Sequence, residues 1–297
     1  MASLKEVKNR ISSVGNTRKI TSAMKMVASS KLHRAGRAIE GMRPYEAHLS
    51  GIMSTFAATL DGEVTSPYMV RRPVKRSAIV VITSNSSLCG AFNNNVVKAL
   101  RRQVEAYENA HVAVTHCMAI GKKGEDAAKA MGLPLCGDLN RLTDHPSYPP
   151  IAAISEQLLQ AYAKEEIDEV RLIYHHFKNN SCQILTEETF LPVSLPGTHG
   201  AATPTVVEDA PRFRPDYIIE PSKEELLTTL IPKSLHLKLF SALLDSIASE
   251  HAARMIAMQV ATDNADDLLH ELTLTYNKTR QQAITNELLD IVAGSMK

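Results

Sequence analysis

From Lys233 to Ala293 the chain contains neither proline nor glycine. An unbroken helix of that length is about 90 Å long at roughly 1.5 Å per residue, far longer than a globular core can cover. It needs a partner along its length. Apolar side chains recur at Leu235, Leu239, Leu243, Ile247, Met255 and Met258 and again at Leu268, Leu272 and Tyr276. These three- and four-residue steps, with slips, form an irregular coiled-coil seam. Residues 1 to about 58 have the same pattern, with Leu4, Val7, Ile11, Val14, Ile20, Met24 and Val27 as the expected stripe. Pro44 is the first proline; because a helical pattern resumes from Tyr45 to Leu60, it predicts a kink or local adjustment, not an end. Two long helices at opposite ends of one chain pair most simply as an antiparallel coiled coil.

The intervening segment changes to short β-rich runs separated by helical patterns. Strands are expected over 77–84, 111–121, 169–178 and from Cys182, and helices over 88–108, 122–131 and 151–164. Strand-helix alternation implies a mostly parallel sheet with covered faces, and Asn179-Asn180 reads as the turn of a final hairpin. The fold class is therefore α/β with long helical extensions, a small Rossmann-like α/β domain beside a terminal coiled coil. The expected divisions are a first helix over 1–60, the α/β domain over 70–195, a linker or foot over 196–224 and a second long helix over 225–297. Pro196 to Pro215, rich in Pro, Gly, Thr and Ala, has no period and reads as loop.

Several chemistries were weighed on their residues. No window approaches the roughly 20 apolar residues that span a bilayer, and the charged start MASLKEVKNRI does not resemble a secretory leader; the expectation is an intracellular chain. The four cysteines, Cys89, Cys117, Cys136 and Cys182, form no C-x-x-C pair and are expected to be reduced core thiols. A thiol at the strand-to-helix turn 84-SNSSLCGAFNNN-95 could be a nucleophile, but no base or orienting residue accompanies Cys89, so a structural turn is the better reading. Gly121-Lys122-Lys123-Gly124 matches a backbone-gripping G-x-x-G loop, yet it follows a strand rather than joining two helices and reads as an ordinary turn. His175 and His176 are adjacent on a presumed strand and point to opposite faces, which disfavours a shared metal. No P-loop occurs, so any nucleotide chemistry belongs to another chain. No cofactor or metal is expected.

The overall charge of +1 conceals an asymmetry. Over residues 1–43 ten basic side chains face only Glu6 and Glu40, an excess of eight, while residues 250–297 hold seven acidic side chains against four basic ones. The second helix can neutralise part of that excess. Solvation of an outer face and nucleic-acid binding were the alternatives for the remainder, but the basic helix lacks the interleaved aromatics on which bases stack. An acidic protein partner enclosing the helix also accounts for the small and sulfur-bearing residues in 19-KITSAMKMVASSKLHRA-35.

The segments 16-NTRKITSAMKMVASSKL-32, 249-SEHAARMIAMQVATDNADDLL-269 and 275-TYNKTRQQAITNELLDIV-292 resemble the gamma subunits of rotary proton-translocating ATP synthases, and the likeness runs nearly end to end. It implies a non-catalytic central stalk. The coiled coil would turn inside a ring of alternating alpha and beta subunits, and the α/β domain would meet the epsilon subunit and the c-ring. The membrane would be reached only through the complex, with no nucleic acid involved, at the cytoplasmic face of a bacterial inner membrane. One shaft presenting different faces to three beta subunits would hold their sites in different states.

Position by position, the resemblance places Met24 and Lys25 against an acidic loop of beta. Arg280 and Gln281 fall on a polar catch with beta, with Thr285 and Arg254 in the same coupling region. In 216-DYIIEPS-222 it places Tyr217 and Glu220 beside the c-ring and epsilon. Where the family commonly has Asp-Arg-Gly-Leu-Cys-Gly after the first strand, this chain has Asn85-Ser86-Ser87-Leu88-Cys89-Gly90. Any ionic contact of that turn in relatives is therefore not expected here.

Overall fold

The computed structural model describes residues 3–59, 66–193 and 223–295. Helix α1 spans Leu4–Thr59 and α6 spans Lys223–Ser295. Between them lie β1 (Arg76–Ile82), α2 (Phe92–Asn109), β2 (Ala113–Ile120), α3 (Lys122–Ala130), the single turn α4 (Arg141–Asp144), α5 (Tyr148–Ala163), β3 (Glu169–Asn179) and β4 (Cys182–Leu191). The long helices run through Pro44 and Pro232 without a break. The Ser3 hydroxyl accepts from the Glu6 amide at 3.2 Å and satisfies one of the orphan donors at the start of α1.

The register of the antiparallel pair is fixed by two contacts, Thr21 Oγ1 with Thr262 Oγ1 at 2.9 Å and Arg18 Nε with Asp266 Oδ1 at 2.6 Å. Ala28, Leu32, Ala35 and Ile39 of α1 are buried against Leu239, Leu243, Ala248 and Ala252 of α6. The expected stripe differs at its middle. Ile20 and Val27 are 60% and 57% exposed, and the seam instead passes through Thr21 and Ala28, because small residues let two helix axes approach closely while the larger neighbours turn outward. Extending the register places Ser3 opposite residues near 280, so the last three to four turns of α6 project beyond α1, roughly 20 Å at 1.5 Å per residue.

The sheet order is β2-β1-β3-β4, with β1 parallel to β2 and β3 and β4 antiparallel to β3. Asn179 Oδ1 accepts from the Ser181 and Cys182 amides at 3.0 and 2.7 Å and closes the hairpin the sequence implied. Alternation in β1 separates two cores. Ala78, Val80 and Ile82 meet α5 and the coiled coil, while Ile79 and Val81 meet α2. Helix α2 begins at Phe92, four residues later than expected, because Leu88 and Gly90 adopt left-handed φ values of 66° and 60° that no helix contains. Helix α5 begins at Tyr148 because Pro149 and Pro150 occupy its first turn, where a missing amide costs nothing. The cysteines divide: Cys89 and Cys117 are core residues as expected, whereas Cys136 is half-buried and Cys182 exposed near the hairpin turn. The 196–215 loop and most of the 196–224 division lie outside the described residues.

Gly121, between β2 and α3, has φ 105°, and a Cβ there would lie 2.2 Å from the Thr83 carbonyl oxygen. Only glycine permits that approach. Two buried-core contrasts follow from the packing. Leu239→Ala, at a fully buried seam position, is expected to lower the unfolding free energy by about 2–5 kcal/mol. Ile291→Ala, on the projecting tip and 67% exposed, is expected to change it by less than about 0.5 kcal/mol. Urea titration of the isolated chain measures both.

Candidate functional site

Along the shaft, the expected contact residues fall into two groups. Met24 on α1 and Arg254 on α6 line one cleft of about 410 Å³, and half-buried Lys25 follows Met24 on the helix. Arg280, Gln281 and Thr285 are exposed together on α6 where α1 runs out, about 30 Å further along by the helical rise from the residues opposite Met24. The Thr285 hydroxyl donates to the Gln281 carbonyl at 2.9 Å, which fixes its rotamer and leaves the amide of Gln281 free to reach outward. Arg280 forms no ion pair among the described residues. Tyr217 and Glu220 lie outside the described residues.

Between and around these groups apolar side chains stand exposed among the charged ones of the shaft. Ile20, Met26 and Val27 on α1 are exposed, as are Ile256 and Val260 on α6, and the tip carries Leu288, Leu289, Ile291 and Val292. Exposed apolar side chains grouped in this way are typical of a contact surface.

Arg254 differs from the other expected contacts. It is only 8% exposed and turns toward the α/β domain. One Nη2 donates to Glu250 Oε1 at 2.8 Å and to the Ser86 hydroxyl at 2.9 Å, while Nη1 donates to the Ser87 carbonyl. The turn therefore meets the guanidinium with neutral acceptors. Asn85 anchors the turn's other side, donating to the Asn140 carbonyl at 2.9 Å and Asp144 Oδ2 at 2.8 Å and accepting from the Lys122 amide at 3.0 Å. The contribution of Glu250, Asn85 and Asp144 was not foreseen. The only signal was a carboxylate four residues before an arginine inside an otherwise apolar stretch of helix.

Burial governs the titrating groups here. It raises the Glu250 carboxyl, against the opposing pull of Arg254. It lowers the His251 imidazole to about 4, helped by the positive charges of Lys31 and Arg254. His175 is likewise lowered to about 4 by burial. It stacks on Phe92 of α2 at 4.5 Å between ring centroids, whereas His176 on the opposite face meets Asp245 of α6 at 2.5 Å.

The Cys89 thiol lies 3.1 Å from the Asn93 amide nitrogen and 3.8 Å from the Ser84 hydroxyl. It knits a turn, with no imidazole or carboxylate among the described residues hydrogen-bonded to it. Among the described residues no cluster of His, Cys, Asp or Glu is arranged to hold a metal ion, and no helix is long and apolar enough to cross a membrane.

A long antiparallel helical pair with apolar side chains exposed along it, a projecting end and an α/β domain on its flank has the build of a stalk-type subunit. The family model for ATP synthase matches residues 3–296. The ATP synthase gamma chain of Phocaeicola vulgatus is 52% identical over 296 residues and that of Bacteroides fragilis 53%, each match covering the whole of both chains. The ATP synthase gamma chain of Flavobacterium johnsoniae is 46% identical, covering 99% of this chain and 98% of its own. The central stalk of the Tetrahymena thermophila mitochondrial ATP synthase, 25% identical, superposes with a TM-score of 0.57 over 82% of this chain and 99% of its own. The rotor of the Euglena gracilis mitochondrial enzyme, at 19% identity, shares the fold with a TM-score of 0.61 over 95% and 98% of the two chains. The chain belongs to the ATP synthase gamma-chain family, and its part in that enzyme is that of a non-catalytic central-stalk subunit.

The buried imidazoles set a pH dependence. With folded pKa values near 4 against 6.5 when unfolded, the unfolded chain binds more protons between those limits. The stability that His175 and His251 contribute is complete above pH 6.5 and is lost as pH falls toward 4, by up to about 1.4 kcal/mol per pH unit for each ring. Glu250, raised by burial, acts with the opposite sign nearer the carboxylate range. Denaturant unfolding across pH is expected to show this loss, and a His175→Gln/His251→Gln double variant to flatten it.

Proposed function

We propose that this chain is the rotor shaft of its ATP synthase, coupling proton flow through a c-ring to conformational cycling of catalytic beta subunits that surround the coiled coil. The observation that carries this reading is the exposed apolar flank and tip of the shaft, which a surrounding ring would cover. The alternative of a basic adaptor or nucleic-acid binder gains nothing from the three relatives named above, which are ATP synthase gamma chains. The solved relatives are a central stalk with a c-ring and a rotor. By extension the partners of this chain are the alpha and beta subunits around the coiled coil, and the epsilon subunit and c-ring near Tyr217 and Glu220. Its place is peripheral, at the cytoplasmic face of a bacterial inner membrane.

On this reading Met24 and Lys25 face an acidic loop of beta, and Arg280, Gln281 and Thr285 form a polar catch beside the tip. Arg254 belongs to the same coupling region. A charged hydrogen bond is worth roughly 1.5–3 kcal/mol, so a shaft lined with many would stay in one orientation. A few catches on a small and apolar surface give stops that can be left again. The exposed Arg280 side chain fits that role, because it forms no ion pair among the described residues.

Arg280→Ala is expected to leave the isolated chain folded and to weaken ATP-driven proton pumping by the assembled enzyme relative to its hydrolysis. Normal pumping per ATP hydrolysed would remove Arg280 from the catch. Met24→Lys adds a positive charge beside Lys25 and is expected to make the contact too strong, impairing coupling in a temperature-dependent way. Unchanged coupling from low to high temperature contradicts that placement.

A further inference from the structure

We propose that Arg254 is a positioning residue that braces the shaft against the α/β domain, so that force applied to the coiled coil near Met24 is carried into that domain instead of being lost in local bending. The proposal rests on the rotor-shaft reading above and gives Arg254 a task within the chain itself.

The guanidinium bridges two bodies. Its own helix contributes Glu250 Oε1 at 2.8 Å, and the β1–α2 turn contributes the Ser86 hydroxyl at 2.9 Å, the Ser86 carbonyl at 3.4 Å and the Ser87 carbonyl. A planar fork that meets both sides at once resists sliding in two directions, which a single ammonium cannot do. The far end of the brace is stiff. Asn93 donates to the Ser84 hydroxyl and the Ser86 carbonyl at 2.7 and 3.3 Å, and Asn85 ties the turn to Asp144 and to the first amide of α3. Polar contacts thus run without a gap from α6 to the C-terminal edge of the sheet.

Position gives the brace its purpose. Met24 and Arg254 face one cleft, with Ser86 and Asp144 on its domain side, so the link stands at the level where the shaft is proposed to meet beta. A buried ion pair is a poor source of net stability, since desolvation offsets its attraction. Mechanical linkage explains better why a charged fork is buried here between two bodies.

The test uses the assembled enzyme in inverted membrane vesicles, with proton pumping measured per ATP hydrolysed. Arg254→Ala is compared with Leu158→Ala, which removes a buried side chain of α5 and weakens the same domain without touching the link. The brace predicts that Arg254→Ala loses pumping per ATP at temperatures where Leu158→Ala, equally destabilised, retains it. Equal coupling in the two variants overturns the proposal. Ser86→Ala removes one acceptor and leaves Arg254 and both carbonyls in place, so it decides the matter where Arg254→Ala does not assemble. A smaller loss of the same kind supports the brace and full coupling overturns it. Arg280→Ala, measured alongside, separates the two claims. A loss in Arg280→Ala with full coupling in Arg254→Ala defeats the brace alone, and the reverse result defeats the polar catch alone.

Discussion

Everything in this molecule depends on how closely α1 and α6 approach. The seam is built where small side chains allow it, at Thr21, Ala28 and Ala35 on one helix and Ala248 and Ala252 on the other. The Thr21–Thr262 and Arg18–Asp266 contacts then fix which turn faces which. That register decides two functional properties together. It leaves Ile20, Val27 and Val260 facing outward, where the proposed ring of subunits would bear on them, and it ends α1 several turns before α6, so that a single helix projects with Leu288, Leu289 and Ile291 exposed near its end. A seam made of larger residues would separate the helices and draw those outward residues into the gap.

The α/β domain is attached to this shaft through packing and through polar links of different character. Helix α5 and one face of the sheet supply apolar contact, which is non-directional and tolerates small slides. The Arg254 link and the His176–Asp245 pair are directional. They meet α6 on different elements, the β1–α2 turn and β3, and so restrain rotation of the domain about the helix. A body that must carry torque needs that second kind of contact. In this chain the neutral Ser86 and Ser87 acceptors of the turn serve a cation supplied by the shaft.

Much of this architecture was legible in the sequence because its strongest signals are local. The absence of Pro and Gly over 233–293, the three- and four-residue apolar steps and the alternation in β1 each follow from backbone geometry. The errors arose where tertiary packing decides. Periodicity alone put Ile20 and Val27 in the seam, since it ranks residues by hydrophobicity and cannot see that Thr21 and Ala28 allow closer approach. The start of α2 was misplaced because nothing in Leu88 announces a positive φ. The environment of Arg254 was hidden for a related reason: beyond Glu250, its partners are the Ser86 hydroxyl and the Ser86 and Ser87 carbonyls, more than 160 residues earlier, and contacts so distant leave no trace in local spacing. The proposed catch at Arg280 rests on resemblance alone, because an exposed surface arginine has no signature of its own.

The central claim is that one copy of this chain serves as the axle of a ring of ATP-binding subunits. Native mass measurement of the intact complex purified through this chain tests it most directly. A single copy together with a roughly threefold excess of each of two ATP-binding subunits, as a closed ring around an asymmetric shaft requires, is the predicted result. Equal copy numbers of this chain and its nucleotide-binding partners, or a complex without such partners, would contradict it.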